Sequence, residues 1–213
     1  MDFSTLYFIL EIIGTISFAI SGAVVGIEKK MDILGISVLG IITAVGGGIL
    51  RDMIIGITPP LSFRDQTNFL VAIGTLVVFI IAYHILKDRF SSRSKLLYEE
   101  ILFISDSVGL GIFTVLGINV GIRSTYNGTF ILYLVLGLLT GTGGGIMRDI
   151  MAGKIPFVFQ KHIYALASLI GGACYILLLK VLDKYSSMLI STGIIILIRY
   201  ISRKKGLNLP KLS

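Results

Sequence analysis

The chain is poor in the residues that build most soluble active sites. It has one cysteine, two histidines and no tryptophan, and only 15% of its 213 residues are charged. Cys174 alone cannot close an intramolecular disulfide, which excludes a secreted disulfide scaffold. His84 and His162, with that one cysteine, make no metal-ligand spacing. A soluble domain of this length would carry about a quarter charged residues. A cytosolic enzyme and a disordered regulator are therefore poor fits, and no nucleophile–base pair lies in the apolar stretches to suggest catalysis. With tryptophan missing, Tyr7, Tyr98, Tyr126, Tyr185 and Tyr200 are the residues left to form an interfacial aromatic belt.

What fills the chain is apolar. Hydrophobic residues make up 54% of it, and the mean hydropathy is +0.92. A membrane-spanning helix needs about 20 such residues. Seven stretches qualify: Leu6–Ile27, Ile33–Ile57, Phe69–Leu86, Tyr98–Ile118, Thr129–Ala152, Ile163–Leu182 and Ser187–Tyr200. Most lack the polar stripe that a buried helix of a soluble bundle would show. The sequence thus predicts an all-α membrane protein with seven transmembrane helices. Its opening, Met-Asp-Phe-Ser followed by an apolar run containing Glu11, reads as a retained first span, since a signal peptide would begin with basic residues.

The net charge of +7 has an orientation meaning. Arg64, Arg123, Lys180 and Lys184 fall on one side of a seven-span layout. Lys29, Lys30, Lys87, Arg89, Arg93, Lys95, Lys154, Lys161, Arg199, Arg203, Lys204, Lys205 and Lys211 fall on the other. The positive-inside rule then places the N-terminus outside and the C-terminus in the cytoplasm. The basic excess is a solvated face beside anionic lipid, and no nucleic-acid partner is expected.

The 25 glycines exceed what a leucine-rich membrane filler needs, and an internal repeat organises them. Residues 46–59, GGGILRDMIIGITP, match residues 143–156, GGGIMRDIMAGKIP, at eight of 14 positions. Upstream, Glu11, Gly14, Phe18 and Gly22 recur as Asp106, Gly109, Phe113 and Gly117. Spans one to three and four to six therefore read as copies, covering residues 5–90 and 96–183, with span seven, 185–205, standing alone. Three spans per copy is an odd number, so the second copy enters the membrane from the opposite face. This is an inverted-topology repeat, an architecture that puts a pathway at the midplane between the halves.

Gly46, Gly47, Gly48 and Gly143, Gly144, Gly145 lie in spans two and five. Each glycine weakens a helix by about 1 kcal/mol relative to alanine, so a break or kink is expected there. Exposed carbonyls at such breaks could replace water around a cation. Close helix packing through small residues is the competing reading. Gly22/Gly26, Gly117/Gly121 and Gly137/Gly141 give the same close-packing spacing. Arg51-Asp52 and Arg148-Asp149 follow the triplets. A charge at the membrane centre costs about 2.5–3.5 kcal/mol on insertion scales, so these residues should face a cavity or one another. Matching depths suggest two acid–arginine clusters, Glu11 with Arg51 and Asp106 with Arg148, acting as pore or gate charges.

Duplicated units carrying acid-x-x-G…F…G and then GGG-x-x-RD…G…P, followed by a seventh helix, resemble the TRIC family of trimeric intracellular cation channels and their prokaryotic relatives. The match runs from about Leu6 to Tyr200, with Pro59 and Pro156 closing the two copies of the second motif. The resemblance implies a homotrimer in membrane lipid, with a pore in each protomer passing monovalent cations such as potassium, lined by the glycine-bearing spans. It implies no cofactor. The short tail after span seven fits a prokaryotic plasma-membrane member. Tyr98–Ile118 contains no Lys or Arg, so voltage sensing attributed to that span in animal members is not expected here. Relatives have also been described as glycine transporters, and a secondary transporter of glycine or another small solute is the alternative function. A membrane scaffold without transport is a third.

Overall fold

A computed structural model describes residues 3–90, 94–124, 128–160 and 163–207. The side chains of residues 86–90, 94 and 95 are outside that description. The side chains of Lys87, Arg89 and Lys95, and the residues Arg93, Tyr126, Lys161, His162 and Lys211, assigned from sequence to loops and anchors, therefore lie outside the described residues.

The described residues form helices throughout: α1 Phe3–Glu28, α2 Ile33–Ile54, α3 Leu61–Arg64, α4 Thr67–Phe90, α5 Ser94–Arg123, α6 Phe130–Met151, α7 Phe157–Gln160, α8 Ile163–Leu178 and α9 Lys184–Lys205. Local chemistry sets several ends. The Asp32 carboxylate accepts from Gly35 N at 2.7 Å to start α2, and Asp183 accepts from Ser186 N at 2.9 Å to start α9. Gly206, in the left-handed region at φ 61°, ends α9. The helices α1, α2, α4, α5, α6 and α9 are long and apolar enough to cross a bilayer. The remaining span is shorter than its apolar stretch suggests: α8 stops at Leu178, and a turn begins at Leu179. Its 16 residues reach about 24 Å at 1.5 Å per residue. The short α3 and α7 were not expected; each follows the proline that closes a copy of the repeated motif.

The core is arranged by reciprocal contacts between the two halves. Phe18 of α1 and Phe113 of α5 pack with ring centroids 5.2 Å apart. A Cβ on Gly14 would lie 3.1 Å from the Phe113 ring, and one on Gly109 would collide with the Phe18 ring. The glycine of each motif is thus the seat for the phenylalanine of the other. Around this pair, α1 packs on α2, α4 and α5, α5 on α6 and α9, and α8 on α9. Most of α4 remains outside, with Leu70, Ile73, Val77, Val78, Ile81 and Ile85 exposed as a lipid-like face.

At the centre, α2 and α6 run antiparallel. A Cβ on Gly47 would collide with the Thr140 carbonyl oxygen, and one on Gly144 with that of Thr43. Gly143 is similarly tight, 3.1 Å from Gly47 Cα for an added Cβ. This corrects the expected break, because both helices continue through their triplets. An unbroken helix satisfies its interior backbone groups in lipid, whatever its residue propensities. At Gly47 and Gly144 the missing side chains serve backbone proximity instead. Gly22 and Gly137 serve it too, with an added Cβ falling 2.6 Å from Gly40 Cα and 2.8 Å from the Thr114 carbonyl oxygen.

Candidate functional site

Both Arg-Asp pairs sit in the last turn of their helices, and both are built the same way. Arg51 Nε donates to Asp52 Oδ1 at 2.9 Å, and Arg148 Nε to Asp149 Oδ1 at 2.8 Å. The second oxygen of each aspartate caps the short helix that comes next in the chain: Asp52 Oδ2 accepts from Leu61 N at 2.8 Å, and Asp149 Oδ2 from Phe157 N at 3.0 Å. The chain can return in this way because Gly56 and Gly153 adopt φ of 75° and 64°. Each aspartate is therefore a counter-charge and a loop anchor together.

The surroundings of the two pairs differ. Arg51 opens onto a cavity of about 450 Å³. Tyr7, Glu11, Ser62, Asp65, Asn68 and Arg123 give its wall polar groups, and Ala44, Val45, Gly48 and Thr140 form its floor at the α2–α6 crossing. A Cβ on Gly48 would meet nothing closer than Arg51 Nη2 at 3.8 Å, so this glycine borders open space. Glu11 is not ion-paired with Arg51. It accepts from Asn68 Nδ2 at 2.8 Å, and Asn68 Oδ1 accepts from Thr15 Oγ1 at 3.2 Å. The cavity thus gathers Glu11, Arg51 and Gly48 but does not join Glu11 to Arg51. Tyr7, expected at the lipid interface, lines the cavity beneath the Arg123 guanidinium, 5.3 Å from its ring centroid. At the rim, hydrogen bonds from Thr67, first its hydroxyl and then its backbone N–H, hold the Asp65 carboxyl below its ordinary pKa.

The Arg148 pair is sealed, its guanidinium being 0% exposed. Nη1 reaches Asp106 Oδ1 at 2.7 Å and also donates to Ser21 Oγ, while Nη2 lies 2.8 Å from Asp149 Oδ1. Two residues missed in the sequence complete the cluster, Arg199 and Tyr164. Arg199 of α9, assigned from sequence to a solvated face, is 5% exposed, with Nη2 3.7 Å from Asp106 Oδ2. Its guanidinium lies over the rings of Tyr164, at 4.6 Å, and Phe103, at 5.2 Å. Gly145 packs here, an added Cβ falling 3.2 Å from Tyr164 Oη and 3.6 Å from Asp106 Oδ1. Gly46 faces the Met147 thioether, 2.7 Å from an added Cβ. The signal for Arg199 was its place four residues before the basic tail, still inside an apolar helix.

Ion pairs also sort the ends of the molecule. Glu28 with Lys154, and Glu100 with Arg203, each meet at 2.7 Å near the sealed cluster. Among the described residues, no three His, Cys, Asp or Glu side chains gather as a metal site.

A family model described as "Glycine transporter" matches this chain twice, at residues 8–84 and 103–180. A UPF0126 membrane protein of Deinococcus radiodurans is 33% identical over 94% of this chain and 89% of its own length. The UPF0126 inner membrane protein YadS of Escherichia coli is 36% identical over 78% of this chain and 76% of its own. Among solved structures, a prokaryotic TRIC channel in 0.5 M KCl superposes with a TM-score of 0.85 at 32% identity, covering 97% of this chain and all of that one. The trimeric intracellular cation channel orthologue from Rhodobacter sphaeroides gives 0.83 at 29%, covering 95% of this chain and all of that one.

Proposed function

Because the chain belongs to the TRIC family, an integral-membrane family of channels and transporters and not of enzymes, we propose that it is a cation channel with a pathway through each protomer. The permeant ion on this reading is a monovalent cation, potassium foremost, and no cofactor takes part. The cavity at Arg51 is one vestibule, α2 and α6 line the narrow part, and the Arg148 cluster is the barrier at the other end.

The observation that carries the reading is the contrast between the two Arg-Asp pairs. The same side-chain arrangement borders a polar cavity of about 450 Å³ at one end and is fully buried at the other. That is the form of a pathway open at one mouth and shut at the other. In the open mouth, Glu11 and Asp65 supply negative charge, and Tyr7, Ser62 and Asn68 supply oxygens that can replace hydration water. Arg51 is held by Asp52, so its charge is largely offset there. Passing the other end requires Arg148 to leave Asp106. A buried pair of this kind is a two-position element, closed when made and open when broken.

Two copies of one family model, the reciprocal Gly–Phe seats and the matched aspartate caps support two inverted repeats, residues 5–90 and 96–183, with 185–205 as an added helix. The biased loop charges support a cytoplasmic C-terminus and an outward cavity. Trimer formation in the plasma membrane of a prokaryote follows the channel relatives. Purified protein in planar bilayers with a KCl gradient tests the proposal. Unitary current steps reversing near the potassium equilibrium potential are expected. Saturable uptake of glycine driven by sodium or protons, without unitary steps, would establish the carrier instead.

A further inference from the structure

We infer that Arg199, on the helix outside both repeats, is a positioning residue that receives the Asp106 carboxylate when Arg148 lets go, and so sets how often the pathway opens. This rests on the reading of the Arg148 cluster as the barrier. The Asp106 carboxylate is divided. Its Oδ1 is taken by Arg148 at 2.7 Å, while Oδ2 is buried without a hydrogen-bond partner. Arg199 Nε is also buried without one, and Arg199 Nη2 stands 3.7 Å from that Oδ2. Hydrogen-bond length is about 2.9 Å, so a shift of under about 1 Å closes the gap. Arg199 is clamped between Phe103 and Tyr164, which makes the aspartate the partner free to move.

The charges then divide cleanly. Arg148 donates through Nε to Asp149, its neighbour in sequence, with Nη2 2.8 Å from the same Oδ1, and the two can depart as a neutral unit. Asp106 stays behind with Arg199 as a second neutral unit. Without Arg199, the departure of Arg148 would leave a carboxylate buried and unpaired, which is strongly unfavourable. At the cavity end, among the described residues, Glu11, the counterpart of Asp106, makes no ion pair and is held by the Asn68 amide. The added helix therefore equips the sealed end alone with a stand-in partner.

Single-channel recording of D106N, R199Q, R199K and D106N/R199Q in planar bilayers tests this, with monodisperse elution as the folding control. R199Q should lower open probability at least about five-fold, the scale of an ordinary coupling between sites, with unitary conductance unchanged. R199K, which keeps the charge, should recover most of the loss. D106N removes the acid that needs a stand-in, so it should raise open probability, and D106N/R199Q should gate like D106N. If D106N leaves gating untouched, the barrier reading itself fails. If D106N acts while R199Q is silent, or R199Q acts equally in the D106N background, Arg199 has no such role. Should R199Q not fold, any gating difference between D106N and D106N/R199Q overturns the inference, and equality sustains it.

Discussion

Alanine placed at each of three adjacent glycines in α2 should give three different outcomes. In a helix interior the change gains about 1 kcal/mol of propensity. At Gly48 an added methyl meets its nearest neighbour at 3.8 Å, so the gain is retained and G48A should be neutral or slightly stabilising. At Gly47 the methyl would sit more than about 1 Å inside contact with the Thr140 carbonyl oxygen. A backbone carbonyl cannot rotate away as a side chain can, so α6 must move. Overpacking costs about 1–3 kcal/mol or more. With the propensity gain subtracted, G47A should lose about 2 kcal/mol, and G144A should match it because its methyl meets the Thr43 carbonyl in the same way. For a chain of this size that is about 4–8 °C in midpoint. At Gly46 the obstacle is the Met147 sulfur, the far part of a flexible side chain, so G46A should fall between. Heating the detergent-solubilised protein and measuring the surviving monodisperse fraction gives the ranking. G47A as stable as G48A would refute the close-crossing account.

Three further outcomes are expected at the site. R148Q leaves Asp149 without its ion-pair partner in a sealed environment and should cost about 3–5 kcal/mol, even with Arg199 beside Asp106; R51Q, beside the cavity, should cost clearly less in the same heating assay. E11Q should lower unitary conductance in dilute KCl with little change in midpoint, because the glutamine oxygen can still accept from Asn68; unchanged conductance would remove Glu11 from the pathway. Asp65 has a depressed pKa, so its charge survives mild acidification and is lost only as pH falls through that lowered value. T67A removes the hydroxyl donor, and the acid-induced fall in conductance should move to higher pH, as current–pH curves would record.

Much of the architecture was legible because lipid leaves few choices. Long apolar runs must be helical, and the doubled GGG-x-x-RD string pointed to the two helices that meet at the centre. The Asp106–Arg148 contact could be read from depth, since two costly charges at one level seek each other. Glycine chemistry was less legible. Propensity describes a helix in water, whereas here the backbone hydrogen bonds hold through both triplets, and only the cross-helix distances reveal what the missing side chains allow. Glu11 was matched to Arg51 by depth in the same way, but Asn68, a neutral residue carrying no charge signal, occupies that role. Arg199 was hidden by the basic tail that comes after it. Its burial depends on Asp106 and Tyr164, which lie far away along the chain and come together only when α5, α8 and α9 pack.

The crossing of α2 and α6 has a mechanical consequence. Gly47 lies against a carbonyl of α6, and Gly144 against one of α2, so the two rods meet backbone to backbone there, with the Met147 and Leu50 side chains to either side. Meshed side chains resist rotation, and with only these two flexible ones beside it the backbone contact is the natural pivot. The helices can change angle there like the blades of scissors while the pivot stays in contact. Arg51 rides on one blade beyond the pivot and Arg148 on the other, at opposite ends. One swing of the blades therefore reaches the vestibule and the sealed cluster together.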